Sequence, residues 1–264
     1  MNIGLIIVGD EILSGKRADK HLAKTIELLG ARGLALAWAR YVGDDRAQIT
    51  HALQDAFGGG DLVISCGGIG ATPDDHTRQC AAAALARPLA LHPGAKLLIE
   101  QRMQDIAREQ GTAYVPDHPD NIHRLNMGVF PEGATLIPNP FNKIPGFFVG
   151  DVHFVPGFPV MAWPMIEWVL DTRYAHLHGG QRAPERSIIV FGSMEALLTP
   201  LMIDIEKRFG AVKVFSLPSV DDPKWGRHIE LGVKGGGDVE AAYAAMKTGL
   251  DALGCKFGPE MVRG

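Results

Sequence analysis

Short unbroken apolar runs alternate with helical stripes along the first third of this 264-residue chain. Residues 3–8 form a near-continuous aliphatic run of strand length, the pattern of a strand covered on both faces. Behind Asp19, Leu22, Ile26 and Leu29 recur at i, i+4 and i+7 and predict an amphipathic helix, ended by Gly30 and Gly33. Residues 34–42 read as a second strand, and Ile49, Leu53 and Phe57 stripe a helix over 46–57. A third strand, 61–66, runs into Gly67, Gly68 and Gly70 and then into an alanine-rich helix over 76–86. Asp74 or Asp75 is the predicted N-cap of that helix, and Pro73 suits its approach.

Three β-then-α units in succession imply a parallel, doubly wound sheet. Right-handed crossovers place the loops after all three strands at one sheet edge, where ligands of open α/β sheets bind. Asp10, Glu11, Asp44, Asp45, Asp74 and Asp75 are thereby expected on one rim.

Further along, Pro88 and Pro93 bracket a turn and 94–110 reads as a helix carrying Leu97, Leu98, Met103 and Ile106. Residues 111–127 read as loop. His118 and His123, with His92 before them, lack metal-ligand spacing and are expected as surface or loop residues. Short strands are expected at 136–138, 147–150 and 152–155, the last ending in a Pro/Gly turn. An apolar helix over 160–176 follows, with Trp163 and Trp168 in core roles. Residues 179–184 read as a linker. Beyond it the order is strand 186–191, helix 194–208, strands 211–217 and 227–234, helix 238–253 and strand 255–258. That βαββαβ order predicts a small ferredoxin-like α+β unit, giving domains at 1–178 and 185–264.

Composition changes this picture little. Apolar residues at 46% and charged residues at 21% describe a globular chain with ample core. A net charge of −4 argues against nucleic acid or an anionic membrane surface as partner. Cys66, Cys80 and Cys255 form no CxxC pair, which disfavours a disulfide framework or zinc site and fits free thiols in a reducing cytoplasm. No run is long enough to span a membrane, and the N-terminus reads as a strand and not a signal peptide.

The candidate chemistry lies at the third strand. A strand, a glycine loop and a helix N-terminus together make an anion site, because free N–H groups and the positive dipole end face the loop. Carboxylates beside a phosphate repel it unless a divalent cation intervenes, so the expectation is a phosphate and metal pocket.

Four segments carry a family resemblance. Gly9-Asp10-Glu11-Ile12-Leu13-Ser14-Gly15, with Asp19 behind it, resembles GDE(I/L)LxG, and Val42-Gly43-Asp44-Asp45 resembles the VGDD loop. The stretch from Gly67 to Thr77 resembles GG(I/L)GPTxDDxT. Ile137-Pro138-Asn139-Pro140 with Pro145-Gly146-Phe147, and Pro156-Gly157-Phe158-Pro159, resemble NPxGxAPGF and PGxP. The chain, over about residues 1–175, resembles the molybdopterin-binding (MoaB/Mog) family, above all its CinA-like branch and the N-terminal domain of FAD synthases.

The departures are Ala71 for proline, Lys20-His21 for Thr-Asn, and Phe141-Asn142-Lys143-Ile144 for a run of small residues. The second is expected to remove a polar lining group, and the third adds bulk and a cation. Neither a CinA-like deamidase nor a FAD synthetase domain is expected within these residues.

The resemblance implies Asp75 and Asp10 as catalytic residues. It also implies Asp10, Asp75 and Asp44 as ligands of a divalent metal, Mg²⁺, Mn²⁺ or Co²⁺. Gly67, Gly68, Gly70, Thr72, Thr77, Pro156 and Gly157 are implied to bind the ligand. The leading expectation is metal-dependent hydrolysis of nucleotide pyrophosphates such as ADP-ribose or FAD. The alternatives are molybdopterin binding or adenylylation in molybdenum cofactor synthesis, and a non-catalytic nucleotide sensor. A cytoplasmic homo-oligomer, dimer or trimer, is expected on the same ground.

Overall fold

The computed structural model describes residues 1–179 and 184–263. The chain divides into two compact units, Met1–Gly180 and Gln181–Gly264. The linker expected at 179–184 lies, from 180 to 183, outside the described residues.

The first unit follows the β-then-α rhythm. Strand β1 (Ile3–Val8) leads through a one-turn helix α1 (Asp10–Leu13) to α2 (His21–Gly30), then β2 (Trp38–Val42) and α3 (Arg46–Gly59). Strand β3 (Leu62–Cys66) leads to α4 (Thr77–Leu85). After them come β4 (Leu89–Leu91), α5 (Pro93–Glu109), α6 (Pro119–Arg124), β5 (Val129–Pro131) and β6 (Thr135–Ile137). Strands β7 (Gly146–Val149) and β8 (Val152–Val155) and helix α7 (Pro159–Arg173) complete it. The main sheet has the order β2-β1-β3-β8-β7-β6, parallel from β2 to β8 and antiparallel beyond.

Strands β1 and β3 are buried along their whole length, as their aliphatic runs demand. Their alternate side chains feed two cores: Ile6, Val8 and Val63 join the layer of α3 and α4, while Leu5, Ile7, Leu62 and Ile64 join that of α2 and α7. Helices on both faces of a mostly parallel sheet make the three-layer arrangement expected from the sequence.

In the second unit the order is β9 (Glu185–Phe191), α8 (Glu195–Arg208), β10 (Val212–Asp222), β11 (Gly226–Gly235), α9 (Val239–Ala252) and β12 (Lys256–Arg263). Its antiparallel sheet runs β10-β11-β9-β12, the split-βαβ topology. Ile188, Val190, Leu231 and Val233 pack under Leu198, Ile205, Tyr243 and Met246 of the two helices.

Three local expectations need correction. The second strand begins at Trp38 and not at residue 34, because Leu34 and Leu36 pack against the α2/α7 core as irregular backbone. The segment 111–127 is not all loop: His118 caps α6, accepting from the Asp120 N–H at 3.3 Å, and a 3-10 turn follows over Leu125–Gly128. Strands β4 and β5 form a separate two-stranded ribbon that no periodicity announced.

Candidate functional site

The C-terminal ends of β1, β2, β3 and β8 and the N-terminal end of antiparallel β7 share one edge of the sheet. A cleft of about 680 Å³ opens along that edge. Its wall includes Gly9 and Glu11 after β1, Asp44 after β2, Gly67–Thr72 with Asp74 and Asp75 after β3, and Pro156–Phe158 after β8. Asn139, Asn142, Ile144 and Pro145 line it ahead of β7.

The glycine loop is held from behind by the first residues of α4. Thr77 is fully buried; its Oγ1 donates to the Gly67 carbonyl at 3.0 Å and its N–H to the Gly68 carbonyl at 2.9 Å. Arg78 Nη2 donates to the Gly70 carbonyl at 2.6 Å. In a trans peptide the carbonyl and the following N–H point in opposite directions. Drawing the carbonyls of Gly67, Gly68 and Gly70 back towards α4 therefore turns the N–H groups of Gly68, Ile69 and Ala71 the other way. None of the three finds an acceptor among the described residues. The result is a row of N–H donors on residues that line the cleft, the arrangement that receives an anion. Gly68 sits at φ 68°, and a Cβ there would fall 2.1 Å from Thr77 Oγ1, so both conformation and contact require glycine.

The acids divide into two groups. Asp10 and Asp44 hold each other: the Asp10 N–H donates to Asp44 Oδ2 at 2.9 Å, and the Asp44 N–H to Asp10 Oδ1 at 3.1 Å. Gly43 permits this, since a Cβ there would lie 2.5 Å from Asp10 Oδ1. Burial raises the Asp44 carboxyl above its ordinary range, and the charges of Asp10, Glu11 and Asp74 add to the rise against the opposing hydrogen bond. Asp75 belongs to the glycine loop. Its Oδ2 accepts from the Thr72 N–H at 3.0 Å and from Thr72 Oγ1 at 2.5 Å.

The sequence-derived roles sort accordingly. Gly67, Gly68, Gly70, Thr72, Asp75, Asp44, Pro156 and Gly157 lie on the cleft. Asp10 is not among its lining residues and is joined to the cleft only through its hydrogen bonds with Asp44. Thr77 faces the loop backbone and not the cleft. Neither Asp74 nor Asp75 caps α4, which begins after His76 with no side-chain cap, because the Asp75 carboxylate is spent closing its own loop. Neither Lys20 nor His21 lines the cleft; His21 is buried and its Nε2 meets the Gly157 carbonyl at 3.0 Å, tying α2 to the turn after β8.

Among the described residues, no three His, Cys, Asp or Glu side chains stand together as a ready metal cage. The facing pair Asp10 and Asp44, with mutually repelling acids around it, nevertheless fits a cation completed by ligand phosphate and water, as Mg²⁺ is commonly held.

Several lining residues escaped the sequence reading. Lys16 and Arg17 bring positive charge to the wall, and Met127 and Met161 join Ile144 and Phe158 of the motif segments in giving it an apolar part. His123 Nε2 meets the Ala71 carbonyl at 3.0 Å, and Arg78 Nη1 donates to the Asn126 carbonyl, so the 119–128 segment is clasped to the glycine loop. The signal for Arg78 was a charge embedded among Cys80, Ala81 and Ala82, an unusual place for an exposed residue.

Known proteins agree with this fold. The sequence pattern of the family described as "Probable molybdopterin binding domain" matches residues 4–176. A CinA-like protein of Syntrophotalea carbinolica is 32% identical over 222 residues, covering 80% of this chain and 51% of that protein. A second, from an Anaeromyxobacter species, is 32% identical over 213 residues, covering 77% and 49%. The chain thus spans about half the length of these curated relatives. The crystal structure of CinA from Thermoplasma acidophilum superposes with a TM-score of 0.54 at 27% identity, covering 65% of this chain and 98% of that one. With the pattern extending over most of the first unit, the chain belongs to the molybdopterin-binding domain family and is related to the CinA-like proteins.

Proposed function

We propose that the first unit binds a nucleotide pyrophosphate of the ADP-ribose or FAD type and, with a divalent cation, hydrolyses it. The observation that carries this reading is the row of N–H groups at Gly68, Ile69 and Ala71, without acceptors among the described residues, on the cleft that the bonded pair of Asp10 and Asp44 reaches through Asp44. The donors suit phosphate oxygens, and the acids suit a cation that bridges to them. The dimensions support an elongated ligand. The cleft runs from the loop after β2 to the segment before β7, four strand spacings, or roughly 19 Å at the usual separation. Phosphates over the glycine loop leave the wall of Met127, Ile144, Phe158 and Met161 for a ring.

Asp10 and Asp44 are the carboxylates that would hold Mg²⁺, Mn²⁺ or Co²⁺, and the cation supplies neutralisation of phosphate charge. The chain's own groups do the rest. The loop N–H groups hold the non-bridging oxygens of the attacked phosphate. Asp75 Oδ2 is fixed by Thr72, which leaves Oδ1 to accept a proton from a water molecule. The water oxygen forms the new bond to phosphorus, the bridging P–O bond breaks, and its electron pair leaves with the second phosphate.

Incubation with each metal and a panel of ADP-ribose, FAD, NAD and ATP, read by AMP release, tests this. AMP is expected from ADP-ribose or FAD, and Asp10→Ala and Asp75→Ala are expected to abolish it while remaining folded. No AMP with any metal, or full turnover in both variants, overturns the reading.

The family match favours a second reading, in which the ring is a pterin and the unit binds or adenylylates molybdopterin. A pterin carried through purification, with no AMP release, would support it. Ligand-induced thermal stabilisation without turnover or pterin would identify a nucleotide sensor. A dimer or trimer is part of the proposal and is checked by light scattering.

A further inference from the structure

Arg78 is a buried cation that makes no direct ion pair among the described residues, and the Asp75 carboxylate acts on it only from farther away. Only 4% of its surface is exposed, and no carboxylate lies within ion-pair distance of it among the described residues. Its Nη1 and Nη2 donate to the carbonyls of Asn126 and Gly70, and its Nε is buried with no partner among the described residues. Buried charges are ordinarily paired, since an isolated one forfeits its hydration for little return. Carbonyl dipoles soften that cost without cancelling a full charge. One side of this guanidinium touches the Gly70 carbonyl, and the N–H on the far side of the same peptide, that of Ala71, is one of the donors lining the cleft.

We propose that the ligand's phosphate completes the counter-charge of Arg78, which Asp75 supplies only at a distance, and that Arg78 acts through the Gly70–Ala71 peptide as a positioning residue. Arg78 fixes that peptide with its N–H outward and places a positive charge beneath the anion cradle. Its other arm, on Asn126, ties the same cradle to the segment that brings Met127 to the cleft. Phosphate binding and the placing of that apolar side chain are thereby coupled through one side chain. This rests on the reading of the glycine loop as a phosphate site, and it adds the source of the charge that the loop by itself lacks.

The test is calorimetric titration of inorganic pyrophosphate into the full chain, wild type, Arg78→Lys and Arg78→Met, with thermal melting of each protein alone and with saturating pyrophosphate. Wild type is expected to bind and to be stabilised. Arg78→Met is expected to bind roughly 10- to 100-fold more weakly and to lose most of the pyrophosphate-induced rise in Tm. Arg78→Lys, which keeps the charge and loses the fork, is expected to keep the larger part of both. A residue that only braced the loop would behave differently: both variants would melt lower than wild type without ligand, yet each folded variant would keep near-wild-type binding and its own ligand-induced rise. Should Arg78→Met not fold, the Arg78→Lys comparison alone decides, with loss of binding overturning the charge-based role. Binding in Arg78→Met within threefold of wild type overturns the inference and leaves the phosphate site standing. Absence of pyrophosphate binding in wild type removes the phosphate site itself, and the inference with it.

Discussion

Gly68→Ala probes the geometry on which the cleft depends. Two penalties follow from its position. An alanine at φ 68° occupies the left-handed region, at a cost of about 1–2 kcal/mol. Its methyl would also lie 2.1 Å from Thr77 Oγ1, well inside any normal contact, and relieving such overpacking costs about 1–3 kcal/mol. Thr77→Ala alone removes the hydroxyl that satisfies the buried Gly67 carbonyl, for about 1–3 kcal/mol. In the double variant the clashing oxygen is gone and the nearest remaining atom is the residue-77 Cβ at 3.1 Å, a contact that small shifts accommodate. The double variant should therefore be less destabilised than the two single changes combined, by about 1 kcal/mol or more. Urea unfolding followed by tryptophan fluorescence in a Trp225→Phe background measures it, since Trp38, Trp163 and Trp168 all lie in the first unit. Energies that add to within about 0.5 kcal/mol would show that Gly68 and Thr77 are uncoupled and that the loop is not held as described.

Two more perturbations test other parts of the first unit. His153 of β8 is fully buried, stacked on Phe148 with Tyr174 edge-on, and burial holds it neutral down to about 4, with the Arg173 charge pushing the same way. Below about pH 6.5 the unfolded chain gains a proton that the folded chain refuses. Stability is therefore full above that pH and falls as pH drops towards 4, by about 3 kcal/mol in all. The urea midpoint from pH 7 to 4 should show a component of this slope that disappears in His153→Gln. Lys143 lies at φ 65° and pairs with Asp105 at 2.5 Å. In Lys143→Gly the relief of about 1 kcal/mol of backbone strain outweighs or matches an exposed ion pair worth less than that. The Tm should rise or stay level, and a fall of several degrees would contradict the strain argument.

What the chain's pattern determined by itself was the sequence of elements and the edge at which chemistry gathers. The aliphatic runs of β1 and β3 and the helical stripes between them follow from local periodicity, and crossover handedness then leaves one edge for the loops. The βαββαβ order of the second unit was legible for the same reason. Tertiary structure alone decided what each polar group faces. Asp75 looks like a helix cap in one dimension, yet its carboxylate closes on Thr72 because the loop folds back there. Thr77 looks like a ligand group but turns to the backbone of Gly67. Asp10 and Asp44, 34 residues apart, meet because β1 and β2 are neighbours in the sheet. His123 and Arg78 join the site only through the packing of the 119–128 segment, a contact no spacing rule encodes. Periodicity reports which side of an element is buried, whereas hydrogen-bond partners depend on where distant backbone comes to rest.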